Sequence, residues 1–163
     1  MRGATGPCAG RYQLVEAPRA AGNVFGARPL PTSTERLGDM RRLAGLRVLV
    51  LEDNPLIATE LETLLREFGC DVIGPFGDPA AAVAALRTEK PQAAVLDIVH
   101  RGHHTFELAD ALALAQVPFV FVSGHSRDIV PERHRDRLFV GKPYQVRALR
   151  AALEKLACRS DAT

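Results

Sequence analysis

The chain has 163 residues, 47% hydrophobic and 25% charged, with a net charge of +2. That length supports one domain with a sizeable core, and so small a net charge points to no polyanionic partner. No apolar run approaches the roughly 20 residues of a membrane span, and the N-terminus lacks the apolar core of a secretory signal. A cytoplasmic protein is expected, without membrane attachment. The charge is uneven: residues 1–46 carry seven Arg against three acids, whereas the remainder carries 14 Lys/Arg against 16 Asp/Glu. A mildly acidic folded part argues against a nucleic-acid-binding surface. Cys8, Cys70 and Cys158 lack metal-ligand spacing and read as reduced thiols, with Cys70 a small hydrophobe at the entry to a strand.

Residues 1–44 are rich in Gly, Pro, Ala and Arg without a sustained period, and read as a disordered arm. Met40 stands just before the first strand and offers an alternative start, in which case residues 1–39 are untranslated. The folded domain is expected over residues 45–158. Its first strand is RVLVL (47–51). Asn54-Pro55 then supplies an N-cap and a proline at the first helical position; Ile57, Leu61, Leu64, Leu65 and Phe68 mark the apolar face, and Gly69 ends the helix. A short strand, DVIG (71–74), precedes an Ala-rich helix opened by Asp78-Pro79 and stopped at Lys90-Pro91.

The third strand, QAAVLD (92–97), leads into a loop containing Gly102 and a helix predicted from about Thr105 to Gln116. PFVFVS (118–123) is the fourth strand. From Gly124 to Arg137 the pattern is irregular and broken by Pro131, so only a short or mobile helix is expected. LFVGK (138–142) is the fifth strand, followed by a helix striped with Val146, Leu149, Leu153 and Leu156. Nearly all-apolar strands alternating with helices predict a parallel sheet covered on both faces, with every carboxyl end on one edge.

Four of the strands stop on reactive residues: Glu52-Asp53, Asp97, Ser123 and Lys142-Pro143. Ligands of such sheets bind at that edge. Three carboxylates packed together repel unless a cation neutralises them. Mg²⁺ fits, being hard and usually bound through a few carboxylates and waters. Asp53 and Asp97 are expected as direct ligands, Glu52 directly or through water, with the Val99 backbone carbonyl completing the set. Asp97 can also act as a nucleophile toward phosphorus. The Ser123 hydroxyl and Lys142 ammonium suit the equatorial phosphoryl oxygens, and a proline after Lys142 can hold a cis bond that aims the lysine inward.

This spaced set resembles the receiver domain of two-component response regulators, over about residues 47–157. The resemblance implies a flavodoxin-like α/β fold with strand order 2-1-3-4-5. It further implies a phosphoacceptor at Asp97, charged by the phosphohistidine of a histidine kinase or phosphotransfer protein with Mg²⁺ required. Glu52 and Asp53 would serve the metal, Ser123 the hydroxyl switch, Lys142 the phosphate contact and Phe139 the aromatic switch. Output is expected through a downstream protein contact or relay, from a stand-alone monomer or a dimer formed on phosphorylation. Catalysis would be limited to self-phosphorylation and self-dephosphorylation.

Some positions depart from the family. Phe139 lacks the phenol of the commoner Tyr, and His100 stands where a hydrophobic residue is frequent. The Phe-rich fourth strand ending Ser123-Gly124 resembles a subgroup whose switch is an ordering event. His125 lies where hydrolysis of the phosphoryl group is tuned. His100, His103 and His104 read as exposed loop residues rather than a transition-metal site. The run Arg127–Arg137 reads as a solvated loop, with a partner contact as the second reading, since in a receiver it would lie beside the surface that changes on phosphorylation. Tyr144 and the last helix are expected at the same surface. A Mg²⁺-dependent phosphohydrolase would need a second Asp at Val99, and a nucleotide or flavin module a glycine-rich loop after the first strand. A degenerate receiver serving only as a binding module is weakened by the complete acidic set.

Overall fold

A computed structural model describes residues 43–100 and 103–160. Five strands, β1 (Arg47–Leu51), β2 (Asp71–Phe76), β3 (Ala93–Leu96), β4 (Phe119–Ser123) and β5 (Leu138–Gly141), form one parallel sheet in the order β2-β1-β3-β4-β5. This is the expected 2-1-3-4-5 order. The helices are α1 (Pro55–Glu67), α2 (Pro79–Glu89), α3 (Phe106–Leu114) and α4 (Val146–Ser160).

Successive strand residues point to opposite faces, so each strand feeds two cores. Val48, Val50, Val95 and Val120 pack with Leu61 and Leu65 of α1 and Leu149 and Leu153 of α4. Leu49, Leu51, Leu96 and Phe121 pack on the other face with Ala82 of α2 and Leu108 and Leu112 of α3. Each fully buried leucine contributes about 2 kcal/mol. This double coverage is why the strands carry no polar alternation.

Four features differ from the sequence expectation. Leu43, assigned to the arm, is fully buried in the α1/α4 core, and its carbonyl accepts from Leu46 N at 3.1 Å. Residues 1–42 of the arm, with Cys8 and Met40, lie outside the described residues. β2 continues through Gly74-Pro75 to Phe76, because an edge strand tolerates a proline. Gly74 is required there: at φ +101 a Cβ would lie 2.8 Å from Phe76 N and 3.0 Å from the Val50 carbonyl. Helix α3 is shorter than predicted, and Gln116 has left it at φ 58. Finally, Val99–His100 and His103–His104 pair as a small antiparallel hairpin within the loop after β3. The loop's Gly102 lies outside the described residues.

The irregular stretch contains two single 3₁₀ turns, Arg127–Ile129 and Glu132–His134. It is more firmly held than a solvated loop. The Arg127 guanidinium donates to the carbonyls of Arg135 and, at 3.1 Å, Arg137. His134 is buried edge-on against Phe119 and Phe121, and its Nε2 lies 2.7 Å from Asp110 of α3. Cys70 is a buried core residue as expected, and its thiol is pushed up to about 11 by burial and then by Asp71.

Candidate functional site

The sheet continues one residue past three of its strands. Glu52 N donates to the Phe76 carbonyl at 3.0 Å, Asp97 N to Leu51 at 3.0 Å, and Lys142 N to Ser123 at 2.8 Å. These bonds carry Glu52, Asp97 and Lys142 to a common edge. Asn54 then turns the chain into α1, its side chain accepting from Leu56 N at 3.0 Å and Ile57 N at 3.4 Å. Such a cap stabilises a helix by about 1 kcal/mol. It also sets the positive end of α1 beside the acids, where negative charge is favoured.

Glu52, Asp53 and Asp97 each offer a carboxylate oxygen within 4.8 Å of the others. Among the described residues this is the one group of three or more His, Cys, Asp or Glu side chains so arranged. Glu52 is buried, while Asp53 and Asp97 are partly accessible. The Lys142 ammonium bridges the set, donating to Glu52 Oε2 at 2.5 Å and to Asp97 Oδ2 at 2.7 Å. Glu52 Oε1 accepts from Asn54 N at 3.2 Å, so both of its oxygens are engaged.

The electrostatics follow. Burial raises the Glu52 carboxyl above its ordinary value, with the Lys142 ammonium opposing and the Asp97 charge adding to the rise. Burial alone would lower Lys142, but its hydrogen bonds to Asp97 and Glu52 outweigh that and hold the amine above its usual range. Three carboxylates drawn together, with the Lys142 ammonium between two of them, make a site that suits a further cation. The donor set is all oxygen, which suits a hard divalent ion.

The remaining predicted residues lie on β4, β5 and the loops that follow the strands. Ser123, 1% exposed, ends β4 opposite Gly141, and its Oγ accepts from His125 N at 3.2 Å. The His125 side chain is exposed. Phe139 is half-buried on the α2/α3 face opposite Phe121, with its Cε1 4.0 Å from where a Gly141 Cβ would sit. Its ring therefore leans along β5 toward the site. Val99 N lies 3.4 Å from Asp97 Oδ1. The Lys142–Pro143 peptide is cis, as the sequence allowed. Tyr144 packs on the α1/α4 core rather than lying open on a surface, and its phenol is pushed up to about 12 by burial and then by Glu60 and Glu52.

Of the loop histidines, His104 is exposed and stacks on Phe106 at 4.9 Å; the side chains of His100 and His103 lie outside the described set. One residue escaped sequence reasoning. Thr105 reads as a helix start, yet its buried hydroxyl donates to the Asp97 carbonyl at 2.5 Å.

Residues 48–154 match the model of the response regulator receiver domain family. The chain belongs to that family. This receiver is 30% identical over 117 residues to the transcriptional regulatory protein PdtaR of Mycobacterium tuberculosis, a match covering 69% of this chain and 57% of PdtaR. It is 31% identical over 102 residues to the phyllosphere-induced regulator PhyR of Methylorubrum extorquens, covering 60% of this chain and 38% of PhyR. The receiver thus spans just over half of the first curated relative and well under half of the second. The solution structure of SdrG from Sphingomonas melonis Fr1 superimposes with a TM-score of 0.61 at 36% identity, over 71% of this chain and 97% of SdrG. SdrG has also been solved in a BeF₃-activated conformation. The receiver domain is a two-component signalling module. Among the described residues no helix is long and apolar enough to cross a membrane.

Proposed function

We propose that Asp97 is the phosphoacceptor of this receiver, charged by a histidine kinase or phosphotransfer protein and read by a downstream protein partner. The observation that carries this is the joint position of Asp97, hydrogen-bonded at 2.7 Å to Lys142 and within 4.8 Å of two further carboxylates. A carboxylate held in that way is a positioned nucleophile. As it attacks phosphorus, the Asp97 O–P bond forms while the donor's P–N bond breaks, and the departing imidazole takes up a proton.

Asp53 and Asp97 are the direct ligands proposed for Mg²⁺, with the Val99 carbonyl beside them. Glu52, whose two oxygens already accept from Asn54 and Lys142, acts through water or by orienting the lysine. Mg²⁺ would supply charge neutralisation for the incoming phosphoryl oxygens. Lys142 and Ser123 are the donors for two of those oxygens, the lysine exchanging a carboxylate partner for a phosphoryl one. A serine hydroxyl drawn toward the phosphoryl group vacates space at the end of β4, and Phe139, already leaning that way, fills it. That the similar receiver SdrG takes a BeF₃-activated conformation supports a receiver with an activated conformer. A population shift between two conformers then alters the face made by β5, α4 and the 127–137 segment.

The test is incubation of the full chain with acetyl phosphate, with and without Mg²⁺, followed by intact mass. Wild type should gain one phosphoryl group only with Mg²⁺, and Asp97→Asn should gain none. Equal labelling of Asp97→Asn would sink the assignment.

A further inference from the structure

Beyond the acidic set and the two switch positions, we propose that Thr105 is a positioning residue for Asp97, resting on the acceptor reading above. Threonine just before a helix ordinarily turns its hydroxyl inward to cap that helix. Thr105 is the N-cap residue of α3, yet its side chain makes no cap hydrogen bond. The hydroxyl turns back eight residues instead and donates to the Asp97 carbonyl at 2.5 Å, with the Ile98 carbonyl 3.3 Å away. Its own N–H donates to that Ile98 carbonyl at 2.9 Å. Thr105 is 2% exposed and Ile98 fully buried, so water does not compete for these bonds.

The consequence lies at the acceptor. Asp97 N is bound to the Leu51 carbonyl of β1, and its own carbonyl is bound to Thr105. The backbone of the acceptor is therefore held on both sides, in the sheet and from the start of α3. What remains free to adjust is the carboxylate, which meets Lys142 at Oδ2 and Val99 N at Oδ1. The Thr105 bonds to the Asp97 and Ile98 carbonyls close the base of the hairpin that pairs Val99 with His104, and so set the direction of the Val99 peptide that is proposed for Mg²⁺. Without the hydroxyl, the Asp97 carbonyl loses its buried donor and the peptide can rotate toward solvent. A displacement of about 1 Å at a reacting group costs up to 100-fold in rate, and loss of an outer-shell partner typically costs 10–100-fold in metal affinity.

Thr105→Val keeps the shape and removes the donor; Thr105→Ser keeps the donor and removes the methyl group. On full-length protein three quantities are read. They are the Mg²⁺ half-saturation of the unphosphorylated chain from amide shifts, the rate of phosphoryl gain from acetyl phosphate at saturating Mg²⁺, and the thermal midpoint. Thr105→Val should raise the half-saturation about ten-fold and slow phosphoryl gain at least as much. Thr105→Ser should recover most of both. A Thr105→Val protein that loses only thermal stability, with metal affinity and rate at wild-type values, overturns the proposal. So does a serine variant as impaired as the valine one. Should the valine variant fail to fold, Thr105→Ala removes the same hydroxyl and is read identically. A wild type that gains no phosphoryl group overturns the acceptor reading itself, whereas normal wild-type labelling with an indifferent Thr105→Val overturns only the role of Thr105.

Discussion

The Lys142 ammonium lies 2.7 Å from the Asp97 carboxylate, although 45 residues separate the two in the chain. It also binds Glu52, which is buried. One lysine just past β5 thus pairs with acids delivered by β1 and β3, and that edge of the sheet depends on it.

Lys142→Met should therefore destabilise the metal-free protein by about 3 kcal/mol, since it leaves a buried carboxylate facing a second one. Mg²⁺ should restore part of that loss by binding the folded state alone. Urea denaturation with and without Mg²⁺ checks both statements. A variant as stable as wild type in metal-free buffer would contradict the first.

Acceptance and readout should separate. Phe139→Ala should still gain the phosphoryl group at Asp97, because the ring contributes no group to the acidic set. It should lose the phosphorylation-dependent amide shifts of β5 and α4. Ser123→Ala should lose those shifts too, while also slowing phosphoryl gain by about 100-fold through the missing donor. Two-dimensional amide spectra before and after acetyl phosphate distinguish the two variants.

Asp110 ties α3 to the 127–137 segment, accepting from Arg133 at 2.7 Å and 2.9 Å and meeting His134 Nε2 at 2.7 Å. The Arg133 guanidinium, helped by His134 and opposed by slight burial, holds its carboxyl below the ordinary 3.8. A depressed folded-state value means stability that is complete above 3.8 and lost as pH falls through the folded value. The stability gap between wild type and Asp110→Asn should close as pH falls from about 4 through the folded value. A gap that widens below about pH 4 would reverse the sign of this account. The exposed carboxylate makes the effect small.

Leu43 marks where the fold begins. Leu43→Ala should cost about 3 kcal/mol, comparable with Leu65→Ala, because both side chains are fully buried in one cluster. Denaturant midpoints of the two variants provide the comparison. A Leu43→Ala variant indistinguishable from wild type would return Leu43 to the arm.

Much of this protein was legible before folding. Five apolar runs, the Asn54-Pro55 and Asp78-Pro79 helix starts and the polar residue ending each of four strands are local patterns. Local patterns determine strands, caps and, through right-handed crossovers, the edge on which Glu52, Asp53, Asp97, Ser123 and Lys142 meet. What the tertiary structure alone decided is which partner each polar group takes. Gly74-Pro75 reads as a break, yet an edge strand absorbs it; His134 reads as solvated, yet Phe119, Phe121 and Asp110 enclose it. Thr105 reads as a helix start, yet the nearest buried acceptor for its hydroxyl is the Asp97 carbonyl. A side-chain donor goes to whichever unsatisfied acceptor the fold brings within reach, and that neighbour is a property of packing rather than of adjacent residues.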